Sequence, residues 1–121
     1  MCCLKTIHLW NINMSNEIEY YIMPSFPTLT ALDLITSTRW YQEVLGFQLV
    51  FEMPGSDGNP ILTHLRWAKY ADLLLVADRN QTSEQKGIGV SLSFAMTHDS
   101  VDNLAARIAS KGCTVANGPI D

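Results

Sequence analysis

Thr38-Arg39-Trp40-Tyr41-Gln42-Glu43-Val44-Leu45-Gly46-Phe47-Gln48-Leu49-Val50 decides the fold. Up to Leu45 it carries an apolar stripe (Trp40, Tyr41, Val44 and Leu45) at helical spacing. Gly46 offers the left-handed conformation that ends such a helix. Phe47 to Glu52 then reads as a strand. Upstream, Thr36 or Ser37 can cap the helix, because a hydroxyl there accepts an orphan backbone N–H. Phe26 to Leu34 alternates loosely and predicts a first strand, with Pro24 and Pro27 keeping its start at an edge.

Downstream, Pro54-Gly55-Ser56-Asp57-Gly58-Asn59-Pro60 is a loop. Ile61 to Ala68 alternates as a strand, Lys69-Tyr70-Ala71 makes a tight connection, and Leu73-Leu74-Leu75-Val76 predicts a strand buried on both faces. Arg79 to Gly87 is polar and reads as a linker. A second unit follows: a strand over Val90–Met96, then a helix capped by Asp99 or Ser100. Its apolar residues Val101, Leu104, Ala105, Ile108 and Ala109 lie on one face. Lys111-Gly112 closes it, and Cys113–Ala116 predicts a last strand before the Asn117-Gly118-Pro119 turn. The strand–helix–glycine–strand unit therefore occurs twice. A ferredoxin-like βαβ repeat is the other arrangement with two such units, but it leaves one strand between Phe47 and Val76 without a place.

The 121 residues are enough for one domain with a real core. A 47% hydrophobic and 17% charged composition suits a soluble globular chain. A net charge of −4 argues against a nucleic-acid partner, and no apolar run is long enough to span a membrane. Three cysteines (Cys2, Cys3 and Cys113) cannot pair fully, which fits reduced thiols and a cytoplasmic location. Residues 1–22 have no clear period and no signal-peptide pattern. They read as an extension outside the fold or an added strand, with Met1, Met14 and Met23 all plausible starts.

Few residues announce chemistry. His64 and Arg66 share a strand face, which either lines a cavity and holds an anionic or aromatic ligand, or faces solvent. Trp67 either stacks on a ligand or packs under a helix. Trp40 and Tyr41 read as core, His98 as an exposed loop residue, and Cys113 as a small buried hydrophobe. No nucleophile–base pair, phosphate loop or dinucleotide glycine pattern is present, so no catalytic residue is assigned.

The first block, Leu32-Asp33-Leu34 with Ser37-Thr38-Arg39-Trp40-Tyr41 and Val44-Leu45-Gly46-Phe47, resembles the vicinal oxygen chelate superfamily. That superfamily groups glyoxalase I, bleomycin-resistance proteins and extradiol dioxygenases. Leu92-Ser93-Phe94, Val101-Asp102-Asn103-Leu104, Lys111-Gly112 and Gly118-Pro119 match in the second half. The resemblance implies an α+β fold of paired βαβββ modules whose sheets curl round a ligand cup. The modules would run over 23–79 and 88–121, joined by a linker at 80–87, with the second truncated before its last two strands. Typical members chelate a divalent metal through four side chains. Carried over, those positions fall on Phe26, about Leu74, and Ser91 or Ser93, with the fourth on a closing strand that this sequence does not contain.

Phenyl and isobutyl groups cannot ligate a metal, so the expectation is no metal and no cofactor. The implied protein is a metal-free binder of a small amphipathic or aromatic molecule in an apolar cup, working as a homodimer. Its ligand-binding set is Phe26, Thr28, Thr30, His64, Arg66, Trp67, Leu74, Ser91 and Ser93. Two alternatives stand beside it. One is a metal-dependent lyase or extradiol dioxygenase of the same superfamily, its divalent-metal ligands in another register. The other is a fragment without independent activity.

Overall fold

The computed structural model describes residues 18–79 and 89–116, and of His98 and Asp99 the backbone alone. Strand β1 (Thr28–Ala31) leads into helix α1 (Leu34–Trp40), which widens into a π-helical turn over Tyr41–Leu45. Strands β2 (Gln48–Pro54), β3 (Pro60–Ala68) and β4 (Ala71–Ala77) follow, and helix α2 (His98–Ser110) comes last. The four strands form one mixed sheet in the order β1-β4-β3-β2. β1 runs parallel to β4, whereas β2–β3 and β3–β4 are antiparallel. This is the expected βαβββ module in an α+β fold, and it leaves the ferredoxin-like arrangement without support.

The core explains which sheet face is buried. Ala31, Leu34, Phe47, Leu65, Leu73 and Leu75 form one cluster, so the odd-numbered side chains of β3 and β4 face α1. Leu65 and Leu73 are wholly buried and paired across the β3–β4 ladder. On the same face, the Thr38 hydroxyl donates to the Thr63 hydroxyl at 3.0 Å, which satisfies two buried polar side chains at once.

Several boundaries differ from expectation. α1 begins at Leu34, not Thr38, because Asp33 is its cap. One Asp33 carboxylate oxygen accepts from the Thr36 backbone N–H at 3.1 Å and the other from the Thr36 hydroxyl at 2.8 Å. Thr36 is thus a partner of the cap rather than the cap, and the first strand is correspondingly cut back to Thr28–Ala31. Trp40 is 40% exposed rather than core, while Tyr41 packs against the cluster. Gly46 ends the helix as expected, with φ +83°.

In the second unit only the helix forms as expected. Neither Val90–Met96 nor Cys113–Ala116 makes a strand ladder among the described residues. A strand needs a neighbour for its backbone groups, and Val90 is 72% exposed with none. Thr97, not Asp99 or Ser100, holds the N-cap position of α2, without a side-chain capping bond, and His98 is the helix's first residue rather than a loop residue. Residues 18–22, expected outside the fold, lie against the β3–β4 hairpin: Arg66 Nη1 donates to the Glu19 carbonyl at 2.7 Å. The 80–87 linker and His8 fall outside the described residues.

Candidate functional site

The even-numbered side chains of β3 and β4 point away from α1. Register places them in rows that cross the whole sheet. Thr28 pairs with Leu74, Leu74 with His64, and His64 with Phe51. One step along, Thr30, Val76, Leu62 and Met53 make a second row. Asp72 and Arg66 are paired on the other side of the His64 row, in line with Gln48. Among the described residues no helix covers this face. Phe51 is 48% and Met53 41% exposed, and Phe26, just ahead of β1, is 47% exposed.

Asp72 organises the polar end. Its carboxylate is almost wholly buried and accepts from Arg66 Nε at 2.8 Å and Nη2 at 3.0 Å, a fork that matches the guanidinium. Its Oδ2 also lies 2.6 Å from His64 Nε2. Burial pushes the Asp72 carboxyl up, but hydrogen bonds from Arg66 and His64 outweigh it and hold it below the usual carboxylate range. The same hydrogen bonds push the Arg66 guanidinium up. Arg66 is further enclosed by the Tyr21 ring, 4.5 Å from its guanidinium carbon. Tyr21 in turn accepts from the Tyr70 backbone N–H at 2.8 Å, and Lys69 pairs with Glu19 at 3.0 Å.

The expected ligand-binding residues therefore separate into groups. Thr28, Thr30, His64, Arg66 and Leu74 share the open face, and Phe26 lies just ahead of β1. Three of the five Arg66 N–H groups already serve Asp72 and Glu19, and the Asp72 carboxylate matches its charge. Trp67 is on the opposite face: its ring packs 5.3 Å from Phe47 and 5.6 Å from Phe94, and its indole N–H donates to the Ala95 carbonyl. Ser91 and Ser93 are exposed in a stretch with no ladder to bring them to the sheet. Asp72 itself was missed. The available signal was an acid one residue inside an otherwise apolar strand, opposite Arg66 across the Lys69-Tyr70 turn.

A hollow of about 290 Å³ lies on the helical side, lined by Leu45, Phe47, Trp67, Phe94, Met96, Val101 and Leu104. Arg107 closes one side of this interface by donating from Nε to the Val44 carbonyl at 3.0 Å. Cys113 is half-buried and accepts from the Trp40 indole N–H at 3.4 Å.

The residues on the open face do not fit a divalent-metal chelate. Leu74 and Phe26 have no lone pair to give. His64 and Asp72 are the side chains there of the types that most commonly ligate such a metal, and both are tied to a network that already holds a guanidinium cation. Among the described residues no three His, Cys, Asp or Glu side chains converge on one point. No helix among them is long and apolar enough to cross a membrane.

Comparison with known proteins agrees with this architecture. The fold is similar to TioX from Micromonospora sp. ML1 at 19% identity, covering 79% of this chain and 77% of that one with a TM-score of 0.55. It is similar to the genomically encoded fosfomycin resistance protein FosX from Listeria monocytogenes at 16% identity, 87% and 75% coverage and a TM-score of 0.59. Another FosX structure is a complex with Mn(II) and sulfate. A hypothetical protein from S. aureus matches at 19% identity, with 92% and 83% coverage and a TM-score of 0.59. No curated protein sequence matches. The family model for the Glyoxalase/Bleomycin resistance protein/Dioxygenase superfamily matches residues 25–121, and the chain belongs to that superfamily.

Proposed function

We propose that this protein binds a small, flat, largely apolar molecule on the open face of its sheet, without a metal. The observation that carries the reading is the composition of that face. Two rows of apolar and hydroxyl side chains (Thr28, Leu74, His64, Phe51; Thr30, Val76, Leu62, Met53) lie next to a charged cluster that is already neutralised from within. Sites for small molecules are mostly apolar with a few placed polar groups, which is the pattern here. Sharing of the cup by two copies of the chain, and a cytoplasmic setting, belong to the same proposal.

Titration of the full chain with a panel of neutral aromatic compounds, followed by thermal shift and calorimetry, tests it. Saturable binding with a raised melting temperature is expected. Failure of every compound to bind would reject the reading. Elemental analysis of the purified chain addresses the metal-dependent alternative, in which a lyase or dioxygenase would carry stoichiometric Mn, Fe, Ni or Zn.

A further inference from the structure

The His64–Asp72 contact determines more than a position. A carboxylate held ionised between a guanidinium and an imidazole can only accept, so the 2.6 Å contact to His64 Nε2 requires the proton on that nitrogen. A neutral imidazole protonated at Nε2 carries its lone pair on Nδ1. Among the described residues Nδ1 has no hydrogen-bonding partner, and 26% of the side chain reaches the open surface. It lies in a row between Leu74 and Phe51, with Thr28 two strands away, roughly 9–10 Å across.

We infer that His64 Nδ1 is the hydrogen-bond acceptor of the open face, and that the ligand class is a neutral fused-ring or similar aromatic bearing a hydroxyl group. Asp72 acts as the positioning residue that fixes the tautomer, and Arg66 fixes Asp72. Three features carry the choice of a neutral donor. The lone pair selects a donor. Three of the five Arg66 N–H groups serve Asp72 and Glu19 and its charge is matched by the Asp72 carboxylate, so a carboxylate or sulfonate ligand gains no uncompensated cation. The neighbours Leu74 and Phe51 favour a flat apolar body, which two rings would extend toward Thr28. This inference rests on the proposed binding function, and it adds the recognised group and the side chain that recognises it.

The test has two arms. The first is ¹⁵N NMR of the imidazoles in the ligand-free full chain, at a pH about two units above where imidazole ordinarily titrates. His64 is assigned by comparison with His64→Leu. A pyrrole-type Nε2 and a pyridine-type Nδ1 are expected; the opposite tautomer overturns the inference whatever binds. The second arm compares 2-naphthol, 2-methoxynaphthalene and 2-naphthoate. One net hydrogen bond corresponds to about a fivefold preference for the naphthol over its ether. That preference should fall to about one in His64→Leu, and the naphthoate should bind more weakly than the naphthol. Equal binding of naphthol and ether overturns the inference and leaves the binding function standing. If no naphthalene compound binds while another compound of the panel does, the ligand class falls and the binding function stands; if nothing in the panel binds, both fall. Should His64→Leu not fold, the naphthol-to-ether ratio on the wild-type chain still decides the second arm, and replacing each of the other two histidines in turn assigns the first.

Discussion

Asp72 is an acid in a strand of leucines, and its environment dictates its charge. Its carboxyl is held below the usual range, so its contribution to stability is complete above the ordinary value of 3.8 and is lost as pH falls through the lower folded value. Acid titration of the melting temperature should show this loss only below that ordinary value. Asp72→Asn should remove that part of the acid dependence. It should also cost about 3–5 kcal/mol in urea unfolding, because it leaves the Arg66 charge buried without its partner. The Thr38–Thr63 pair makes a second residue-scale test. Either Thr→Val change alone should cost about 1–2 kcal/mol by stranding one hydroxyl, and the double change should cost less than the two summed. Sequence reading found His64 and Arg66 on a common face. It missed that a third side chain, Asp72 on the neighbouring strand, bonds to both, since that pairing exists only once the β3–β4 register is known.

At the scale of elements, glycine was the most legible signal. Gly46 is read directly from the apolar stripe that stops before it. Its φ of +83° confirms the reason, and a Cβ there would meet Arg107 Nη2 at 3.0 Å. Gly46→Ala should therefore cost about 1–2 kcal/mol for the left-handed backbone alone. It should also loosen α2, whose Arg107 bonds the Val44 carbonyl. Gly112→Ala, with φ +80° and no atom within 4 Å of the new Cβ, should carry the backbone cost only. Comparing the two denaturant midpoints, with hydrogen exchange in α2, checks both. The helix start was misread because two adjacent hydroxyls, Thr36 and Ser37, looked like caps. Asp33 competes better: its two oxygens serve both the Thr36 N–H and the Thr36 hydroxyl. The π-helical turn over Tyr41–Leu45 had no sequence signal, since it keeps the same residues on the buried side. The strands expected at Val90–Met96 and Cys113–Ala116 fail for a non-local reason. Alternation makes a segment able to pair, but a ladder needs a second strand.

For the molecule as a whole, a four-stranded sheet has one face packed against α1, with α2 set against the Tyr41–Leu45 turn, and the other face left open among the described residues. Phe47, Trp67 and Phe94 lock the filled side, with ring centroids 5.3–5.6 Å apart. Phe94→Ala should thus destabilise the chain by roughly 3 kcal/mol at most, because the ring is only partly buried. It should leave binding on the open face intact, as calorimetry with a neutral aromatic compound would show. The module and its superfamily were legible from the spacing of apolar residues and glycine. Alternation puts Trp67 on the face of Leu65, where it lies, but that it packs there instead of stacking on a ligand was not legible, because the aromatic cluster with Phe47 and Phe94 decides it.

The most direct measurement is a backbone amide map by NMR of the full chain titrated with a neutral aromatic compound such as 2-naphthol. The account predicts shifts concentrated at Thr28, Thr30, Phe51, His64 and Leu74. Shifts confined instead to Phe94, Met96, Val101 and Leu104, around the hollow beneath α2, would contradict it.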